Sequence, residues 1–171
     1  MIWSKTKKAL EALLADSVKV HVQYHITRYG PGFGTVTNRG WITWDGKELV
    51  SFSNIAHDNA VNEVAEQLET ANRDQPGGRF RSYYAPAAAI VDSRQQIQSR
   101  DAFDQAVERY LALSIDDALI DADPVIKALA MFDRRLGKRQ LKQITIDEHT
   151  HPLVKQLYER RIQAESMTMA N

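Results

Sequence analysis

The chain has 171 residues, 43% hydrophobic and 26% charged, and its 22 basic and 22 acidic side chains cancel to a formal net charge of zero. Those proportions are those of an ordinary globular protein of one domain, and a balanced charge supplies no overall field to recruit polyanions. The absence of cysteine excludes disulfides, thiolate metal sites and thiol nucleophiles, and no apolar run approaches the ~20 residues of a membrane-spanning helix.

The opening stretch places lysines ahead of apolar residues, as a signal peptide would, but Glu11 interrupts the run and no small-residue cleavage site follows. It reads as an amphipathic helix capped by Ser4, with Leu10, Leu13 and Leu14 on one face, ending near Asp16. From Ser17 the period changes to two. Val18, Val20, Val22, Tyr24 and Ile26 alternate with Lys19, His21, Gln23, His25 and Thr27, which predicts a strand with one buried and one wet face. A glycine-rich turn, a second strand near Gly40 to Trp44, an Asp45-Gly46 hairpin turn and a third strand from Glu48 to Ser53 complete an antiparallel meander. A fourth strand at "RFRSYY" would extend its edge.

Beyond Ser53 the pattern is helical. Val61, Val64, Ala65 and Leu68 form one stripe, ended by "RDQPGG". A weaker helix follows from Pro86 toward Gln96. Ser99 caps the next, with Phe103, Ala106, Val107 and Tyr110 facing inward, and "SIDD" from Ser114 to Asp117 opens a short one. Asp123-Pro124 caps a helix whose Val125, Leu129, Phe132 and Leu136 make it the most buried of all. The last helix starts at Pro152, and the tail after Glu165 is expected to fray. The fold class is therefore α+β in a single domain, residues 1–171. Residues 1–53 form a helix and a small three- to four-stranded antiparallel sheet, and 54–165 form four or five helices packed on one sheet face.

Three groups could carry function. Arg134, Arg135, Lys138, Arg139 and Lys142 fall within nine positions. Arg134 and Arg135 would complement the carbonyls of a helix ending at a left-handed Gly137; the other three come after that cap and are available to a phosphate or an acidic partner. Residues 92–126 carry eight acids against three bases, and residues 127–161 nine bases against four acids, so mutual neutralisation is the expectation. His21, His25 and Trp41 should share the wet sheet face with Thr43, a plausible ligand-binding surface. "DEHTHP" gathers Asp147, Glu148, His149 and His151, ligand types that would still need help from elsewhere to hold a metal. "GPGFGTV" is followed by a strand, where a phosphate-cradling loop needs a helix, and is read as a turn.

The segments "WSKTKKALEALLADSVKVHVQYHITRYG", "LSIDDALIDADPVIKALAMFDRRLGKRQL" and "HPLVKQLYERRIQAE" resemble a family of uncharacterised bacterial proteins that open with a Trp-Ser-Lys-Thr-Lys helix. The likeness implies a small intracellular protein and carries no activity, cofactor or catalytic residue with it. The expected function is a non-catalytic binding or protein-interaction module, cytoplasmic, with homodimer formation in view. The alternatives are a nucleic-acid-associated protein using Arg134 to Lys142, and a small metal-dependent hydrolase around His149 and His151.

Overall fold

The computed structural model describes residues 2–27, 39–78, 81–94 and 98–169. Its elements run α1 (Trp3–Leu13), α2 (Asp16–Lys19), β1 (Val22–Thr27), β2 (Arg39–Trp44), β3 (Lys47–Ser53), α3 (Asn54–Asn72), α4 (Tyr84–Arg94), α5 (Arg100–Ala112), α6 (Ile115–Ile120), α7 (Pro124–Phe132), α8 (Lys138–Leu141) and α9 (Pro152–Met169). The class is α+β, with a three-stranded antiparallel sheet in the order β1-β2-β3. The "GPGFGTV" segment lies outside the described residues. So do Arg79 and Phe80, while 81–83 are irregular and Tyr84 opens a helix, so "RFRSYY" adds no strand among the described residues.

The first elements depart from the sequence reading in two ways. Ile2, not Ser4, precedes the first turn of α1 with no side-chain cap, and the Thr6 hydroxyl donates back to the Ile2 carbonyl. The strand begins at Val22 and not at Ser17. Leu14, Ala15 and Val18 are all buried, and the amides of Val18 and Lys19 close a helical turn on the Ala15 carbonyl. Val20, expected inward, is 81% exposed. Burying Val18 beside Leu14 outweighed the period-two pattern, as tertiary packing commonly overrides local preference.

The hairpin behaves as its dipeptide requires. Asp45 and Gly46 take φ of 49° and 74°, the paired left-handed conformation of a two-residue turn. The register sets Tyr24 opposite Ile42 and His25 opposite Trp41, and Leu49 is an extra residue bulging from β3. One sheet face, with Val22, Tyr24, Ile42, Trp44 and Phe52, is buried. Phe103 of α5 stacks on Phe52 at 4.3 Å, and Phe132 of α7 meets Trp44 at 5.8 Å.

Helix α7 is the centre of the main core; every one of its residues except Lys127 is buried. Its predicted cap holds, since the Asp123 carboxylate accepts from the Val125 amide with Pro124 in the first turn. Ser99 and Ser114 cap α5 and α6 as read. Helices α3 and α4 pair through a second small cluster, Val61 and Val64 against Ala87 and Val91. Helix α9 continues beyond Glu165 to Met169.

Candidate functional site

The wet face of the sheet is organised by its own side chains. His25 stacks on Trp41 with ring centres 5.0 Å apart and planes 10° off parallel, and the Arg39 guanidinium lies 5.0 Å from the same indole. Arg39 in turn donates to the Ser51 hydroxyl at 2.9 Å and to the Glu48 carboxylate. Thr43 is buried beneath them; its hydroxyl donates to the Gln23 carbonyl and sits 3.0 Å from His25 Nε2. Which of the two donates across the 3.0 Å contact follows the imidazole tautomer. Burial, and then the nearby Lys7 ammonium, hold the His25 pKa below its ordinary value, so the ring is neutral at pH 7. A neutral imidazole beside a hydroxyl is also the outline of a nucleophile–base pair. Here the contact locks the ring onto Trp41.

His21 does not join this group. It precedes β1, its Nδ1 lies 2.7 Å from an Asp45 carboxylate oxygen, and its ring stacks on Trp44 at 4.8 Å. Trp44 belongs to the core side, with Arg160 of α9 over its ring. The short helical turn of α2 is what displaced it. Of the three predicted ligand-binding residues, His25 and Trp41 are together and His21 is apart.

The basic segment also divides. Helix α7 stops at Phe132, so Arg134 and Arg135 lie beyond it. Gly137, at φ −67°, is not a left-handed cap but the residue before α8. The chain leaves the helix because it pairs elsewhere: Ala15 donates to the Phe132 carbonyl at 2.9 Å and Arg134 donates to Leu13 at 2.7 Å. Asp133 is buried at the turning point. Its carboxylate takes two guanidinium bonds from Arg135, at 2.7 and 3.0 Å, and one from the Tyr110 hydroxyl. Burial and then that carboxylate push the Tyr110 phenol far up. Lys138 pairs with Glu165 at 2.7 Å, and buried Arg161 joins Glu165 while donating to the Asp133 and Leu136 carbonyls. Neutralisation thus comes from Asp133 and Glu165, not from the acidic stretch 92–126, whose Asp121 and Asp123 hold Arg109. Arg134, Arg139 and Lys142 are exposed and form no ion pair among the described residues.

The "DEHTHP" segment closes on itself. Asp147 accepts from the Thr150 hydroxyl at 2.8 Å and the His149 amide at 3.0 Å, and His151 Nδ1 accepts from Leu153 N–H at the start of α9. His149 is 86% exposed. No group of three metal-ligating side chains forms among the described residues. The same segment nevertheless walls a cleft of about 420 Å³ against Leu119, Lys127, Met131 and Val154. Sequence reasoning missed it. The available signal was Lys127, a lone charge inside "VIKALAMF".

The model of the SF0329 protein family matches residues 2–162. The chain belongs to that family. The match takes in the whole sheet, the basic segment and the cleft, in agreement with the whole-chain likeness read from the sequence. No curated protein and no solved structure matches the chain. No helix among the described residues is long and apolar enough to cross a membrane.

Proposed function

We propose that the chain is a non-catalytic protein-interaction module of the bacterial cytoplasm, folded as one domain, and that its recognition surface is the polar face of the sheet. The observation that carries this reading is Trp41. The indole is half-buried, held between sheet side chains, and lies on the face away from Phe103 and Phe132. A rigid aromatic with an arginine and a neutral imidazole beside it is the composition of an interface centre, where tryptophan and arginine contribute most of the binding energy. Because His25 and Arg39 already lie against the ring, little side-chain entropy is lost when a partner covers it.

The test places a photoreactive residue at Gln23 or Ser51, both exposed on this face, in cells producing the protein. One discrete cross-linked species is expected, abolished by Trp41→Ala without loss of folding. Equal cross-linking from Glu66 on α3, or indifference to Trp41→Ala, rejects the assignment.

One observation favours a second reading. Arg134, Arg139 and Lys142 stay unneutralised among the described residues, and three such cations suit a phosphate backbone. Retention on RNA would then fall with salt along a slope of about two to three counterions, and the triple alanine variant would lose it.

A further inference from the structure

The cleft beside α7 has its own chemistry, independent of the sheet face. Leu119 of α6, Met131 of α7, Ile144 and Val154 of α9 give it an apolar lining, and its volume of about 420 Å³ lies in the range of small-molecule sites. Lys127 is the lysine of its lining. It is the one side chain of α7 that is not buried, it lines this cleft, and it forms no ion pair among the described residues. An ammonium beside an apolar wall, with no carboxylate in salt-bridge contact among the described residues, is a complementary partner for a carboxylate. His149, Thr150 and His151 add hydrogen-bonding groups at the rim, and the Leu153 amide fixes the His151 ring.

We propose that this cleft binds a small monocarboxylate with an apolar body, its carboxylate on Lys127 and its hydrocarbon part against Met131, Ile144 and Val154. The apolar lining selects a head that carries a hydrocarbon body over inorganic phosphate, which has none to bury. Asp147 also lines the cleft, and the Thr150 hydroxyl and His149 amide keep its carboxyl below the usual range, so it is ionised at neutral pH. Lys127 and Asp147 bring the formal charge of these two lining groups to zero, so the carboxylate is placed by its contact with the Lys127 ammonium and not by a net field, and the apolar body supplies the rest of the affinity.

Octanoate is the probe, titrated at pH 7.5 into ¹⁵N- and methyl-labelled full-length protein. Saturable one-to-one binding is expected, with shifts confined to Lys127, Met131, Ile144, Val154 and their neighbours. Hexanoate should bind more weakly by about fourfold for each methylene removed from contact. Lys127→Gln should weaken octanoate at least tenfold, leave octanol binding unchanged, and keep the thermal midpoint. Lys127→Glu should abolish octanoate binding. Inorganic phosphate should neither bind nor compete. The proposal is overturned if octanoate binds Lys127→Gln as well as the native chain, if the shifts fall on another surface, or if phosphate takes the site and octanoate does not.

Discussion

The two faces of the three-stranded sheet are ordered by different means. On one, Tyr24, Ile42 and Phe52 are each at most 2% exposed, and their order comes from removal from water beneath α5 and α7. On the other, a ring stack, a cation over an indole and a chain of hydroxyl and carboxylate bonds connect His25, Trp41, Arg39, Ser51 and Glu48, which water still reaches, above the buried Thr43. Stability therefore resides on the first face. The second presents a chemically specific surface whose geometry is set before anything binds.

Substitutions should separate the two faces in order of size. Phe103→Ala removes the ring stacked on Phe52 and 1% exposed, and should cost about 3–5 kcal/mol of unfolding free energy, measured by denaturant titration. Gly40→Ala comes next. An added Cβ would stand 2.9 Å from Arg100 Cδ and 3.2 Å from Phe103 Cδ1, and Arg100 is itself 2% exposed beneath the Trp3 ring, so neither neighbour can swing away. That overpacking should cost about 1–3 kcal/mol. Trp41→Ala, on the polar face, should cost about 1 kcal/mol or less, the scale of a cross-strand pair. A loss as large as that of Phe103→Ala would mean that Trp41 is part of the core.

The smallest effect is the pH dependence of the polar face. The His25 pKa is depressed by burial and then by Lys7. Its unfolded form binds a proton more readily, so stability should decline as pH falls from about 6.5 toward the lower folded value, and be unaffected by this group above that window. Lys7→Ala should move the His25 titration, followed by its ring proton shifts, upward. An unmoved titration would leave burial as the sole cause.

How much of this was legible depends on whether local chemistry or long-range contact decided the outcome. The caps at Ser99, Ser114 and Asp123 and the Asp45-Gly46 turn depend on neighbours two or three residues away, and each formed as read. His25 and Trp41 belong to the β1–β2 pair, which that turn does not join; the alternation of polar and apolar residues along both strands is what placed them on one face. The errors arose where a distant partner intervened. Leu13 and Ala15 exchange backbone bonds with Arg134 and Phe132, and that bridge both shortened the first strand and ended α7 ahead of Gly137. Nothing near Ser17 or Arg134 in the sequence announces a partner about 120 residues away. Arg39 was missed for a related reason, since only pairing with β3 brings it to Ser51 and Glu48.

The account depends most on Trp41 being both accessible to water and rigid. The three indole N–H resonances of the native protein report this without any substitution, through paramagnetic broadening by a soluble gadolinium chelate together with ¹⁵N relaxation. The prediction is strong broadening at Trp41, weak broadening at Trp44, and order at Trp41 equal to that of the strand backbone. Protection of Trp41 equal to that of Trp44, or an indole moving independently of the sheet, would contradict it.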